Sequence, residues 1–253
     1  MKLAIVIVSI GNRPWLELTF PTVLAYAASV GAIPFLFDTL PTKSEFPIPD
    51  LPERPGRRNK LAYAMKLYLP AKLLGEFDRV ICMDDSCLIT KETPDLFKIL
   101  KKGHVAGVPE PGGYGREHCI KATLNTVDRH AGRLISGNAP YFNGGLMIYD
   151  KSYLDLCSPE RIIANRELLL CGFLDQAMNH FFFCSGGART QTLPQEFNSI
   201  NIFEGERSSV CLLSDPLESA YIYHVTGWWD AYRDGRHNTI KMISERLCGE
   251  GRI

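Results

Sequence analysis

Two acids stand side by side, Asp84 and Asp85, at the end of the apolar run RVICM, and Ser86 follows them. A buried carboxylate without a partner is costly, so acids next to a buried strand are paired or working. The C-terminal end of a strand is where open α/β sheets bind ligands. Adjacent acids there suit a hydrated divalent cation that bridges phosphate oxygens. The same pair also fits a turn or a helix start, where acids recur for hydrogen-bonding reasons.

Three further groups carry chemistry. In YFNGGLMIYD, Asn143 precedes Gly144 and Gly145 inside an apolar strand pattern. Glycine in a strand marks a bulge or the close approach of a ligand or another backbone. In GFLDQAMNHFF, Asp175 and Gln176 form a polar pair in an apolar helical run, either facing a cleft or with the aspartate as N-cap. In YIYHVTGWWD, His224 ends an apolar strand and Gly227 follows. Histidine is a frequent metal ligand and glycine permits a backbone turn against phosphate. A hydrogen-bonded structural histidine is the plainer alternative, and Trp228 and Trp229 read as sugar-stacking faces or a lid over the core.

The elements that must hold these groups alternate. LAIVIVS, residues 3–9, reads as a buried strand, a helical pattern interrupted by Pro21 covers about 15–31, and IPFLF, 33–37, is a second strand. This β-α-β order predicts an α/β fold of Rossmann-like character, with a mixed, mainly parallel central sheet flanked by helices. The segment from Pro41 to Lys60 carries many prolines and cations and reads as a long surface loop. Residues 60–75 predict a helix that Pro70 kinks or splits. PDLFKILKK predicts a short helix with proline at its start. HVAGVP and 141–150 predict strands, 109–140 irregular chain, 151–184 mostly helix, 221–227 a last strand and 236–248 a terminal helix. No repeat or linker divides the chain, so one domain over 1–253 is expected, with a Rossmann-like first half and a more irregular second half.

Composition narrows the classes. The 28 basic and 28 acidic residues cancel, which gives nucleic-acid binding no support. No apolar run reaches membrane-spanning length and MKLAIVIVSIG lacks a cleavage-site pattern, so a cytoplasmic protein is expected. The eight cysteines are scattered, without a C-x-x-C pair, and fit free thiols in a reducing compartment. Neither a P-loop, a G-x-G-x-x-G fingerprint nor a G-x-S-x-G elbow is present.

Taken in order, EFDRVICMDDSCLI, YFNGG, FLDQAMN, LPQEFN and HVTG resemble glycosyltransferase family 8 and its relatives of the GT-A fold, and NRPWLELTFPTVLAYAASVGA is similar to their first helix. The resemblance implies transfer of a sugar from a nucleotide-sugar donor, most often a UDP-sugar, with retention at the anomeric carbon. The acceptor class, carbohydrate, lipid or protein, stays open. It implies a divalent metal, Mn2+ first, on the donor diphosphate, with Asp84, Ser86 and His224 at the ligand positions and Asp85 between the first two. It further implies donor contacts from Lys66, Asn143, Gly144 and Gly227, and roles near the reacting sugar for Asp175 and Gln176. The chain departs from the pattern in two places: Ser86 replaces the last acid of D-x-D, and tryptophans replace a lysine after H-x-x-G. Serine is a poorer ligand than carboxylate for a hard cation. A nucleotidyltransferase of similar architecture and a non-catalytic nucleotide-sugar-binding protein are the competing readings.

Overall fold

The computed structural model of the chain describes residues 1–40, 42, 60–111, 116–154, 156–171, 173–204, 211–212, 219–226 and 233–253. The predicted loop 41–59, Gly227 and the paired tryptophans lie outside the described residues.

The β-α-β start is as the sequence predicts: β1 (Leu3–Val8), α1 (Leu16–Val30) and β2 (Ile33–Phe37). Then follow α2 (Lys60–Leu73), β3 (Arg79–Asp84), β4 (Cys87–Ile89), α3 (Leu96–Ile99), β5 (Val105–Pro109), α4 (Arg116–Ala131) and β6 (Phe142–Asp150). The rest is α5 (Pro159–Ala164), α6 (Asp175–Gly186), β7 (Thr190–Thr192), β8 (Ser199–Glu204), β9 (Cys211–Leu212), β10 (Ile222–Thr226) and α7 (Arg233–Gly249). Six strands form the central sheet in the order β2-β1-β3-β6-β5-β7. Neighbours run parallel except at β6, which is antiparallel to both β3 and β5. A smaller sheet, β4-β10-β8-β9, stands beside it.

The sheet is apolar on both faces, as strands covered by helices on two sides must be. Alternation along each strand divides the side chains between two cores. Ala4, Val6, Val80, Cys82, Met147 and Tyr149 join one, with α2 and α6. Ile5, Ile7, Ile81, Met83, Leu146 and Ile148 join the other, with α1 and α3. Each fully buried Leu or Ile contributes about 1.5–3 kcal/mol, which fixes the register on which the site depends.

Neither proline splits its helix, for different reasons. At Pro21 the helix continues because Glu17 and Pro21 are exposed, so the carbonyl that loses its donor faces water. At Pro70 the ring is buried, and the Lys66 carbonyl, four residues back, takes the Cys82 thiol as donor at 3.6 Å instead. Two other expectations need correction. Residues 116–131, expected to be irregular, form α4, whose buried residues include only Arg116, Thr123 and Val127, too few apolar positions to write a helical period. Pro94 does not open α3; Asp95 caps it, accepting from the Phe97 and Lys98 amides. Residues 151–184 are mostly helical as expected, in two α-helices and two 3-10 turns.

Candidate active site

β1 and β3 lie parallel with Val8 opposite Asp84, so their C-terminal ends share one edge of the sheet. From β1 the chain goes on to β2 on one flank, and from β3 to β5 and β6 on the other, which is the kind of switch point where α/β sheets open a crevice. Asp84 ends β3 at this edge. One carboxylate oxygen lies 2.6 Å from Lys66 Nζ on α2, and the other 3.2 Å from His224 Nε2 on β10. Lys66 Nζ also reaches Asp175 Oδ2 at 3.1 Å, at the start of α6. Four elements, α2, β3, α6 and β10, therefore meet on one ammonium and one carboxylate. The Asp84 side chain keeps 30% of its surface exposed while those of Lys66 and Asp175 keep 11% and 5%, so Asp84 is the most accessible of the three.

Charge in this cluster is held by mutual contact. Burial works against the Lys66 charge, yet Asp175 and Asp84 beside it hold its pKa well above the ordinary lysine value. Burial also opposes the Asp84 charge, but Lys66 and His224 keep its carboxyl far below the usual carboxylate range. For Asp175 burial prevails over Lys66, with Asp84 adding to it, and the carboxyl is pushed up.

Two glycines make room for the cluster. A Cβ on Gly144 would sit 2.6 Å from Asp175 Oδ2 and 3.4 Å from Lys66 Nζ. A Cβ on Gly145 would sit 2.2 Å from the His224 ring. Asn143, just before them, donates to Glu110 at 2.6 Å and accepts from the Gly145 amide at 2.7 Å and from Asn198 at 2.9 Å. Glu110 is itself paired with Arg116. Asn143 therefore anchors the glycine segment, and its carboxamide is largely spent inside the protein.

Asp85 faces the other way from Asp84. Its carboxylate accepts from Ser9 Oγ at 2.9 Å and Trp15 Nε1 at 3.1 Å, and lies 3.4 Å from Arg13 Nε. Its carbonyl accepts from Thr19 at 2.7 Å. Asp85 thus ties the β1–α1 connection to the turn that carries Asp84, and these contacts take up the carboxylate that a donor contact would need. Ser86 is buried, and its carbonyl accepts from the Val225 amide at 3.2 Å, next to His224.

Asp175 and Gln176 are presented by a strained turn. Leu174 has φ 50° and ψ −109°, the one positive φ of a non-glycine residue among the described residues. The Gln176 amide bonds back to the Phe173 carbonyl at 3.0 Å, closing a turn whose second position glycine ordinarily fills. Asp175 is consequently the first residue inside α6 rather than its N-cap. Gln176 Oε1 is buried and has no partner among the described residues.

Of the residues singled out from sequence, the structure brings Lys66, Asp84, Asp175 and His224 into direct contact, with Gly144 and Gln176 against them. Asn143 and Asp85 lie beside this cluster but engage other partners, and Gly227 is outside the described residues. The sequence reading missed Glu110, Arg116 and Leu174. Glu110 carried a usable signal, since it follows the strand HVAGV as Asp84 ends RVICM. Leu174 carried none.

The fold is that of the GT-A class. Two solved structures share the architecture over nearly their whole lengths. One is described as a glycosyltransferase involved in the glycosylation of the major capsid of PBCV-1: TM-score 0.57 and 9% identity, with 96% of this chain and 100% of that one covered. The other is the galactosyltransferase LgtC in complex with donor and acceptor sugar analogs: TM-score 0.51 and 14% identity, with 97% and 99% covered. The model of the family described as Glycosyl transferase family 8 matches residues 44–155. No curated protein matches the chain in sequence. The chain has the GT-A fold, and its residues 44–155 are similar to Glycosyl transferase family 8. The matched segment contains Lys66, Asp84–Ser86, Asn143 and Gly144, and the fold carries Asp175, Gln176 and His224 to them from beyond it.

Proposed function

We propose that the chain transfers a sugar from a nucleotide-sugar donor, a UDP-sugar in the first instance, to a carbohydrate, lipid or protein acceptor, with retention at the anomeric carbon and assistance from a divalent cation such as Mn2+. Residues 1–110 supply the nucleotide side of a single domain, and 111–253 the acceptor and catalytic side. The observation that carries this reading is the meeting of Lys66, Asp84, Asp175 and His224 at one point on the C-terminal edge of the sheet.

The residues fit a metal in the sparse manner that phosphate-bound cations accept. Asp84 and His224 offer one oxygen and one nitrogen 3.2 Å apart. Hard cations at phosphates commonly take one or two carboxylates and fill the rest of their shell with phosphate oxygens and water. Ser86 occupies the third ligand position with a hydroxyl. When bound, the cation supplies electrostatic stabilisation of the negative charge on the departing diphosphate.

The chain's own groups do the rest. Lys66 places a fixed positive charge beside the diphosphate position, in a buried setting where such a charge acts strongly. Asp175, held by Lys66, accepts from donor-sugar hydroxyls. The Gln176 carbonyl, without a partner among the described residues, is free to orient the sugar face where the oxocarbenium-like centre develops. Gly144 keeps the strand from filling that space.

A thermal-shift screen of nucleoside diphosphates and nucleotide sugars, with and without Mn2+, tests this directly, because a ligand that binds only the native state raises its stability. A shift with one UDP-sugar and Mn2+, followed by its slow hydrolysis, is expected. No shift with any nucleotide, and no turnover, would remove the reading.

A further inference from the structure

Lys66 stands where it competes with a metal for the same carboxylate. Its Nζ lies 2.6 Å from Asp84 Oδ1 and 3.1 Å from Asp175 Oδ2. We infer that the Lys66 ammonium is the resident cation of this site, so that a divalent metal is held only together with a nucleoside diphosphate.

The argument is a count of donors. A hard divalent cation gathers about six or more oxygen ligands, or their equivalents. Of the carboxylates near the sheet edge, Asp85 is committed to Ser9, Trp15 and Arg13. Asp175 gives one oxygen to Lys66, and so does Asp84. Ser86 supplies no charge. Among the described residues no group of three His, Cys, Asp or Glu side chains is placed to hold a metal ion. A cation entering by itself at Asp84 therefore finds that residue's second oxygen and the His224 imidazole, with a fixed ammonium on the same carboxylate, while Asp175 lies buried behind that ammonium. A cation arriving on a diphosphate brings several anionic oxygens, and those also give the ammonium a new partner. Serine in the D-x-D segment and lysine opposite it act in the same direction: both weaken the metal site until the donor is present.

The inference draws its nucleotide from the reading above, but its first test needs none. Mn2+ is titrated into the protein alone and in the presence of saturating UDP, with bound metal read by electron paramagnetic resonance or calorimetry. The wild type is expected to hold Mn2+ alone no tighter than about 1 mM and at least about tenfold tighter with UDP. Lys66→Met releases Asp84 and Asp175 to join His224 as three donors, and Ser86→Asp adds a carboxylate. Each folded variant, checked by circular dichroism, is expected to bind Mn2+ alone at least about tenfold tighter than the wild type. Wild-type protein that binds Mn2+ equally well with and without UDP overturns the inference. So do folded variants that bind Mn2+ no better than the wild type, and two variants that fail to fold leave the wild-type comparison to decide. Variants that gain metal affinity, in a protein on which Mn2+ never retains UDP or any other nucleoside diphosphate, uphold the resident ammonium and remove the nucleotide-sugar reading instead.

Discussion

Gly145 and His224 are in contact only because Gly145 has no side chain: a Cβ there would lie 2.2 Å from both Cε1 and Nδ1 of the imidazole. Gly145 lies within β6, antiparallel to β3 on one side and to β5 on the other, so its backbone has little room to yield. Gly145→Ala is therefore expected to push His224 away from Asp84 and to destabilise the fold by about 1–3 kcal/mol through overpacking. Calorimetry would show the lower Tm, and turnover of the donor would fall by about two orders of magnitude, the scale on which displacement of a positioned group acts. A variant with unchanged Tm and turnover would mean that the ring can lie elsewhere without loss.

Asp85 sits inside the motif but is engaged by Ser9, Trp15, Arg13 and Thr19. Asp85→Ala leaves Ser9, Trp15 and Arg13 without their carboxylate partner, at about 1–3 kcal/mol, while the backbone carbonyl that takes Thr19 remains. The expected signature is a clear loss of stability in urea, with Mn2+ affinity in the presence of UDP within about threefold of wild type in the folded protein. Loss of metal affinity with unchanged stability would make Asp85 a ligand after all.

Leu174 holds a backbone conformation that costs a non-glycine residue about 1–3 kcal/mol. Leu174→Gly relieves that cost while keeping the turn available. A rise in Tm of a few degrees is expected, as about 1 kcal/mol produces in a domain of this size. A fall in Tm would mean that packing of the leucine side chain outweighs the strain.

Cys82 is buried, its thiol bonds to the Lys66 carbonyl that Pro70 leaves without a donor, and burial pushes its pKa up to about 12. The thiolate needed for alkylation is therefore scarce at neutral pH. Brief treatment of the native protein with iodoacetamide should label Cys248, which is exposed, and spare Cys82. Peptide mass mapping reads the outcome. Equal labelling of both would show that the β3–α2 packing opens on the timescale of the reaction.

Legibility in the sequence followed the strength of the physical signal. β1, β2, β3 and β6 were visible because their residues are apolar on both faces, and such runs are bounded sharply by glycine, proline and acids. Asp84, Asp175 and His224 were visible because each interrupts an apolar run with a group that burial would otherwise exclude. The helix α4 was invisible because Thr123 and Val127 are nearly all that it buries besides Arg116. Pro70 misled because the donor that compensates for it, Cys82, comes from another element twelve residues away. The separate fates of Asp84 and Asp85 also lay beyond the sequence. Two adjacent acids look alike until the fold supplies Lys66 and His224 to one and Ser9 and Trp15 to the other.

The account turns on Asp84. Hydrolysis of a panel of UDP-sugars with Mn2+, compared between the wild type and Asp84→Asn, tests it most directly. Turnover of at least one UDP-sugar by the wild type is predicted, with a loss of about a hundredfold or more in Asp84→Asn, as removal of one electrostatic partner at a reacting centre produces. An Asp84→Asn protein that turns over the donor at the wild-type rate would contradict the account.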